Sequence, residues 1–265
     1  MSKMQIKVLT AIIIIAVVIW PLYFGGNLLL ALELIVALGA GVETASLFDQ
    51  KRHWVASLLN TVVIMCMYFV PEKLFAAVAS VWLVLLFAIE IFKGKVKTDN
   101  VAYTFVITVL VGLALRCMGR VYAADAKWTG WVLMLYIAAA CYLCDTGAYF
   151  FGVFFGKHKM IPDISPNKTW EGSVGGYFSG LIGSLLVGYF GLKQLPFTLI
   201  LCGSLVLPLV AQIGDLAFSS IKRNFKIKDF GNLLPGHGGI LDRVDSLIFC
   251  LMVFNALMII WGVAA

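Results

Sequence analysis

Phe197-Thr-Leu-Ile-Leu-Cys-Gly-Ser-Leu-Val-Leu-Pro-Leu-Val-Ala-Gln-Ile-Gly-Asp-Leu-Ala217 is an apolar run that meets its first charge only at Asp215. About 20 such residues at helical rise cross the hydrocarbon core of a bilayer, so the run reads as a membrane span. Comparable runs lie at 8–24, 28–48, 54–70, 74–92, 101–119, 129–152, 173–193 and 244–262. Together they predict an all-α, polytopic integral membrane protein with about nine transmembrane helices. Composition agrees: 62% of residues are hydrophobic and 13% charged, against about a quarter charged in soluble domains.

The distribution of Lys and Arg sets the orientation, because cytoplasmic loops collect them. With a cytoplasmic N-terminus, 15 of the 20 fall inside. Only Lys73, Arg116, Arg120, Lys127 and Lys193 fall outside. Both long polar stretches, 153–172 and 218–243, then face the cytoplasm, and an odd number of spans sends the C-terminus out. Lys3 and Lys7 precede an apolar core, but no small-x-small site follows Trp20-Pro-Leu-Tyr-Phe24, so the first span is expected to be retained rather than cleaved.

Residues 1–265 read as one membrane-embedded domain. Spans within 1–128 form a scaffold with few polar groups beyond Glu33, Glu43 and Glu90, and 129–265 form the half that carries candidate chemistry. The net charge of +6 fits anionic lipid surfaces and phosphate ligands. Nucleic acid is not an expected partner, because the charges border spans rather than forming one soluble basic face. The six cysteines lie in or beside apolar spans, where Cys behaves as a small hydrophobe. Cys141-x-x-Cys144 sits mid-span and lacks the setting of a redox motif.

In the seventh span Gly172, Gly176, Gly180, Ser184 and Gly188 recur every four residues. Small side chains on one face let helices approach closely in lipid. Packing inside one subunit is the preferred expectation, and a homodimer interface the alternative.

The chemistry is concentrated between the last two spans, in Ser219-Ser-Ile-Lys-Arg-Asn-Phe-Lys-Ile-Lys-Asp-Phe-Gly-Asn-Leu-Leu-Pro-Gly-His-Gly-Gly-Ile-Leu-Asp-Arg-Val-Asp245. Charges of both signs beside hydrocarbon are costly and mark a site by default. Asp215, Asp242 and Asp245 stand at one depth, the last two at i and i+3 on one helical face. Oxygen-only ligands favour a hard cation such as Mg²⁺, which is usually held by one or two carboxylates plus substrate phosphates. Local pairing with Arg243 or Lys222 is the competing account of these carboxylates. Lys222, Arg223, Lys228 and Arg243 are candidates to clamp phosphate and stabilise a transferring phosphoryl group. In Pro235-Gly-His-Gly-Gly239, Gly238 and Gly239 allow backbone N–H groups to approach an anion. For His237, phosphate contact, acid catalysis and plain loop hydrogen bonding all stay open, and Asp229 joins the candidate binding residues.

A second polar stretch adds Asp145, about 10 Å inside the end of its span at helical rise, where a charge must face protein, water or metal. Ser165, Lys168 and Thr169 offer donors suited to phosphate, although Ser165 or Thr169 could equally cap the helix that Glu171 opens. Soluble nucleotide-binding folds are excluded by the absence of G-x-x-x-x-G-K-[ST] and of G-x-G-x-x-G between a strand and a helix. No His-x-x-x-His or paired-Cys pattern points to zinc.

The run from Ser219 to Asp245 resembles the signature of phosphatidate cytidylyltransferases, the CDP-diacylglycerol synthases: S-x-I-K-R, K-D-x-G, then L-P-x-H-G-G-I-x-D-R-V-D. The resemblance extends to Gly214-Asp-Leu216, Asp145-Thr-Gly147 and Ser165-Pro-Asn-Lys-Thr-Trp-Glu-Gly172, and so covers most of 140–250. It implies conversion of CTP and phosphatidic acid to CDP-diacylglycerol and pyrophosphate, dependent on Mg²⁺, on the cytoplasmic face; the short chain is the ground for expecting a bacterial cytoplasmic membrane. It also implies that Asp215 and Asp242 are the metal-site carboxylates, and it leaves open whether a monovalent cation joins Mg²⁺. Phe218 stands where many members carry Glu, so any carboxylate role there is absent. A lipid kinase acting on a polyprenol is the rival enzyme, with His237 or Asp145 as the general base a hydroxyl nucleophile needs. A secondary transporter is disfavoured, because the charges cluster at one membrane face instead of the midplane.

Overall fold

The structure is a computed structural model that describes residues 3–48, 54–94, 97–123 and 129–263. Lys51, Arg52, Lys95 and Lys127, which enter the orientation argument, lie outside the described residues. The described chain forms α1 (Lys3–Phe24), α2 (Gly26–Ser46), α3 (Trp54–Phe69), α4 (Glu72–Phe92), α5 (Thr98–Ala123) and α6 (Thr129–Phe155). A hairpin of β1 (Lys159–Ile161) and β2 (Ser165–Thr169) follows, then α7 (Trp170–Gly191), α8 (Phe197–Asn224) and α9 (Leu241–Ile260).

The protein is an all-α polytopic membrane protein. Seven of the helices, α2 and α4 to α9, are long and apolar enough to cross a bilayer. The apolar part of α1, Ile12–Phe24, is shorter, and so is α3. At 16 residues α3 is about 24 Å long at helical rise. Large apolar side chains such as Phe92, Val84, Ile213 and Phe190 are exposed, while Glu33, Glu43 and Glu90 are buried. That inversion is expected where the surrounding solvent is lipid.

Packing groups the chain into two compact units, one of 1–116 with 227–243 and one of 117–226 with 244–265. In the first, Gly41 on α2 sits against Ser57 and Thr61 on α3, and the Asn60 amide donates to the Gly41 carbonyl at 3.3 Å. Trp82 on α4 donates its indole N–H to the Thr108 hydroxyl on α5 at 2.8 Å. Arg116 donates to the Met67 and Val70 carbonyls at 3.1 and 2.5 Å. It thereby satisfies carbonyls at the C-terminal end of α3 that would otherwise lack partners.

The second unit is built on the small-residue ridge. A Cβ on Gly176 would lie 2.6 Å from the Cys144 carbonyl oxygen, and one on Gly180 2.6 Å from that of Ala140. Gly188 lies against Tyr136 and Ile200. The ridge is therefore filled by α6 and α8 of the same chain. Tyr136 donates to the Ile200 carbonyl at 2.7 Å, satisfying its buried hydroxyl. The antiparallel hairpin, with Lys159 opposite Thr169 and Ile161 opposite Ser165, occupies a stretch expected to be polar loop. Its strands are three and five residues long, too short for an alternating pattern to stand out.

Candidate active site

In the second unit, β2 brings Lys168 to α8, where its ammonium meets the Asp215 carboxylate at 2.5 Å. Both side chains keep about a quarter of their surface open, 23% and 27%. Ser219, one turn along α8, donates to Asp215 at 3.4 Å. Gln212, Asp215, Ser219 and Lys222 follow helical spacing and share one face of α8. Gln212, Ser219 and Lys222 are buried.

Gln212 is held from two sides. It accepts a hydrogen bond from the Ser173 hydroxyl and donates to the Ser173 carbonyl and the Cys144 sulfur at 3.0 and 3.4 Å. Gly214 brings α8 against α9, since a Cβ there would meet the Ser246 Cα at 3.1 Å and the Asp245 carbonyl oxygen at 3.2 Å. The neighbours Asp215 and Asp245 therefore stand on adjoining helices. Asp245 is buried, and one carboxylate oxygen accepts the Ser246 N–H at 2.7 Å.

The hairpin is tied down at both ends. Arg223 donates from Nε to the Ile164 carbonyl at 3.1 Å. Thr169 is the N-cap of α7, its hydroxyl accepting the Gly172 N–H at 3.1 Å, and Glu171 pairs with His158 at 2.6 Å. Ser165 lies half-buried in β2, and Asp145 on α6 is exposed rather than enclosed by protein.

In the first unit, segment 227–243 holds the other candidates. Leu234 and Gly238 close a tight turn, with the Leu234 N–H donating to Gly238 at 2.9 Å and that of His237 to Leu234 at 2.8 Å. Gly236 and Gly238 have φ of 76° and 82°, a region that side chains other than glycine rarely enter. Asp242 is 9% exposed, and its Oδ2 accepts the N–H groups of Phe230 and Gly239 at 2.8 and 2.9 Å. Asp229 lies beside Gly238, while Lys228 and Arg243 are exposed. His237 Nδ1 is buried with no hydrogen-bond partner among the described residues.

The sequence reading assigned Glu43 to the scaffold, but the structure places it against this loop. It is 1% exposed, and its two oxygens accept the Ile240 and Leu241 N–H groups at 2.7 and 2.8 Å. The partners are 197 and 198 residues away in sequence, so no local pattern announces the contact.

Among the described residues no three His, Cys, Asp or Glu side chains are gathered as a metal cage. The carboxylates of Asp215 and Asp245 in the second unit, and of Asp242 in the first, are each of a chemical type that suits Mg²⁺, because Mg²⁺ takes oxygen ligands and keeps waters and substrate phosphates as most of them.

Known proteins decide the assignment. The model of the cytidylyltransferase family matches residues 5–261. The chain belongs to the cytidylyltransferase family. It is similar to a phosphatidate cytidylyltransferase of Staphylococcus aureus (strain COL), 36% identical over 97% of this chain and 99% of the relative. The enzymes of that name from Staphylococcus haemolyticus and Staphylococcus saprophyticus are each 33% identical over the same shares. As a cytidylyltransferase-family member the protein is a nucleotidyltransferase. Phe218 is fully buried and packs edge-on against Phe249, ring centroids 6.3 Å apart, so this position serves the apolar core.

Proposed function

We propose that the protein is a phosphatidate cytidylyltransferase, converting CTP and phosphatidic acid into CDP-diacylglycerol and pyrophosphate at the cytoplasmic face of a bacterial inner membrane. What carries the reading is the near-full-length similarity to relatives that bear that name. The positive-inside distribution supports the orientation, with the N-terminus and both polar stretches cytoplasmic.

An oxygen of the lipid phosphate forms a bond to the α-phosphorus of CTP. The bond between that phosphorus and the bridging oxygen of the β-phosphate breaks, and pyrophosphate leaves with the electron pair. A phosphate monoester has a second pKa of about 6, so the nucleophile is already ionised at neutral pH and needs no strong general base. The demands are in-line placement and relief of repulsion between two polyanions. Lys222, Arg223, Lys228 and Arg243 contribute cationic donors to phosphate, and Lys168 shares its charge between Asp215 and an incoming anion. Ser165 and Thr169 add hydroxyl donors. On the family resemblance Asp215 and Asp242 are each Mg²⁺ ligands, with Asp245 as a further carboxylate. Bound Mg²⁺ supplies Lewis-acid neutralisation of phosphate charge. His237 Nδ1, buried and unpartnered, is suited to hydrogen-bond a phosphate oxygen.

Purified protein in detergent tests the reading through pyrophosphate release. Release requires CTP, phosphatidic acid and Mg²⁺ together. Release without the lipid phosphate, or equal turnover with diacylglycerol in its place, would contradict it.

A further inference from the structure

The glycines of the 231–239 loop admit an anion, and the protein itself supplies one. A Cβ on Gly239 would lie 2.5 Å from Glu43 Oε1, and one on Gly231 3.0 Å from the same carboxylate. Gly39, one turn before Glu43 on α2, is equally close to the loop, its would-be Cβ falling 2.2 Å from Ile240 Cδ1. Helix α2 and the loop are thus in contact along a full turn. At the centre of that contact sits a buried carboxylate with each oxygen on a separate backbone N–H, at the start of α9. Asp242 takes the N–H groups of Phe230 and Gly239. Two carboxylates therefore account for four backbone donors, those of Phe230, Gly239, Ile240 and Leu241.

We infer that Glu43 is a positioning residue for cytidylyl transfer. Its carboxylate pins the loop and the first turn of α9 in the shape that presents Asp242 and His237. Buried donors are costly to leave unpaired, and each of the two Glu43 oxygens accepts one. An amide at position 43 presents an acceptor to one of these N–H groups but a second donor to the other. Glu43→Gln therefore keeps the side chain's size while breaking the clamp. The catalytic half of this inference rests on the cytidylyltransferase reading, whereas the clamp itself does not.

The test uses the full-length enzyme in detergent and two independent readouts. Hydrogen exchange followed by mass spectrometry reports on peptides covering 230–241, with peptides from α6 to α8 as the internal reference. Steady-state pyrophosphate release gives kcat and KM for CTP. Glu43→Gln is expected to speed exchange in 230–241 about tenfold or more while leaving α6 to α8 unchanged. It is also expected to lower kcat by about a hundredfold, as small misplacements of reacting groups do, with little change in KM. Glu43→Asp keeps two acceptor oxygens at shorter reach and restores part of kcat. Gly239→Ala, which forces a methyl toward Glu43, lowers kcat in the wild-type background. It lowers kcat less when combined with Glu43→Ala, because the group it strikes is gone. Wild-type exchange in 230–241 for Glu43→Gln would overturn the clamp, and wild-type kcat in that variant would overturn its catalytic consequence. If Glu43→Gln does not yield folded protein, Gly239→Ala carries the same exchange test, and unchanged protection in it contradicts the inference. Inactive wild-type enzyme would defeat the activity reading alone, since the exchange arm still reports on Glu43.

Discussion

At the residue scale, the Lys168–Asp215 pair separates two duties that one carboxylate can have. Both side chains are part-exposed, so the pair is worth at most about 1 kcal/mol of stability. Lys168→Met is expected to leave the thermal midpoint in detergent nearly unchanged while lowering turnover. A large drop in midpoint with intact turnover would mean that the pair is structural. Asp215→Asn and Asp242→Asn are each expected to reduce turnover to about a hundredth or less, as loss of preorganised transition-state electrostatics does, while the protein still inserts. Near-normal activity in either would contradict its assignment as a metal ligand. Asp215, Asp242 and Lys168 stand out in the sequence as charged residues of polar motifs, but the partner does not: Asp215 pairs with Lys168, 47 residues away, where local pairing with Arg243 or Lys222 was the alternative. Glu43 was not legible, because an isolated Glu in an apolar span reveals that it needs a partner but not which one. The glycines of 236–239 were read as the frame of an anion site, and the carboxylates that approach that backbone, those of Glu43 and Asp242, come from the chain itself.

At the scale of elements, the ridge of α7 was legible from its four-residue spacing, and the structure adds what it faces. Gly180→Ala would drive a methyl to 2.6 Å from the backbone oxygen of Ala140. Backbone cannot yield locally, so about 1–3 kcal/mol of destabilisation is expected. Gly183→Ala meets Leu143 Cδ1 at 2.1 Å, but that is the end of a flexible side chain that can rotate away. Thermal midpoints of the two variants should differ clearly, and equal losses would show that the α6–α7 contact is looser than described. Thr169→Ala removes the hydroxyl that caps α7, at an expected cost of about 1 kcal/mol, whereas Thr169→Ser retains it. The hairpin escaped the sequence reading because β2 is Ser-Pro-Asn-Lys-Thr, rich in residues depleted from strands. It is fixed by neighbours such as Arg223 and by the cap.

At the scale of the whole molecule, hydropathy gave the helices and their order, since lipid requires each span to satisfy its own backbone. The grouping of 227–243 with 1–116 was not legible, because it depends on contacts across most of the chain's length. The proposed orientation rests on charge alone. Alkaline phosphatase fused after Ala265 is expected to be active and a green fluorescent protein fused there dark, and the reverse pattern would place the C-terminus and the polar loops on opposite sides from those proposed. The central claim is that a cytidylyl group, rather than the terminal phosphoryl group, reaches the lipid. Its most direct measurement incubates the purified enzyme and phosphatidic acid with CTP labelled at either the α- or the γ-phosphorus, then extracts the lipid. The account predicts α-label in the lipid and γ-label in released pyrophosphate. Label from the γ-phosphorus in the lipid would make the protein a kinase and contradict the account.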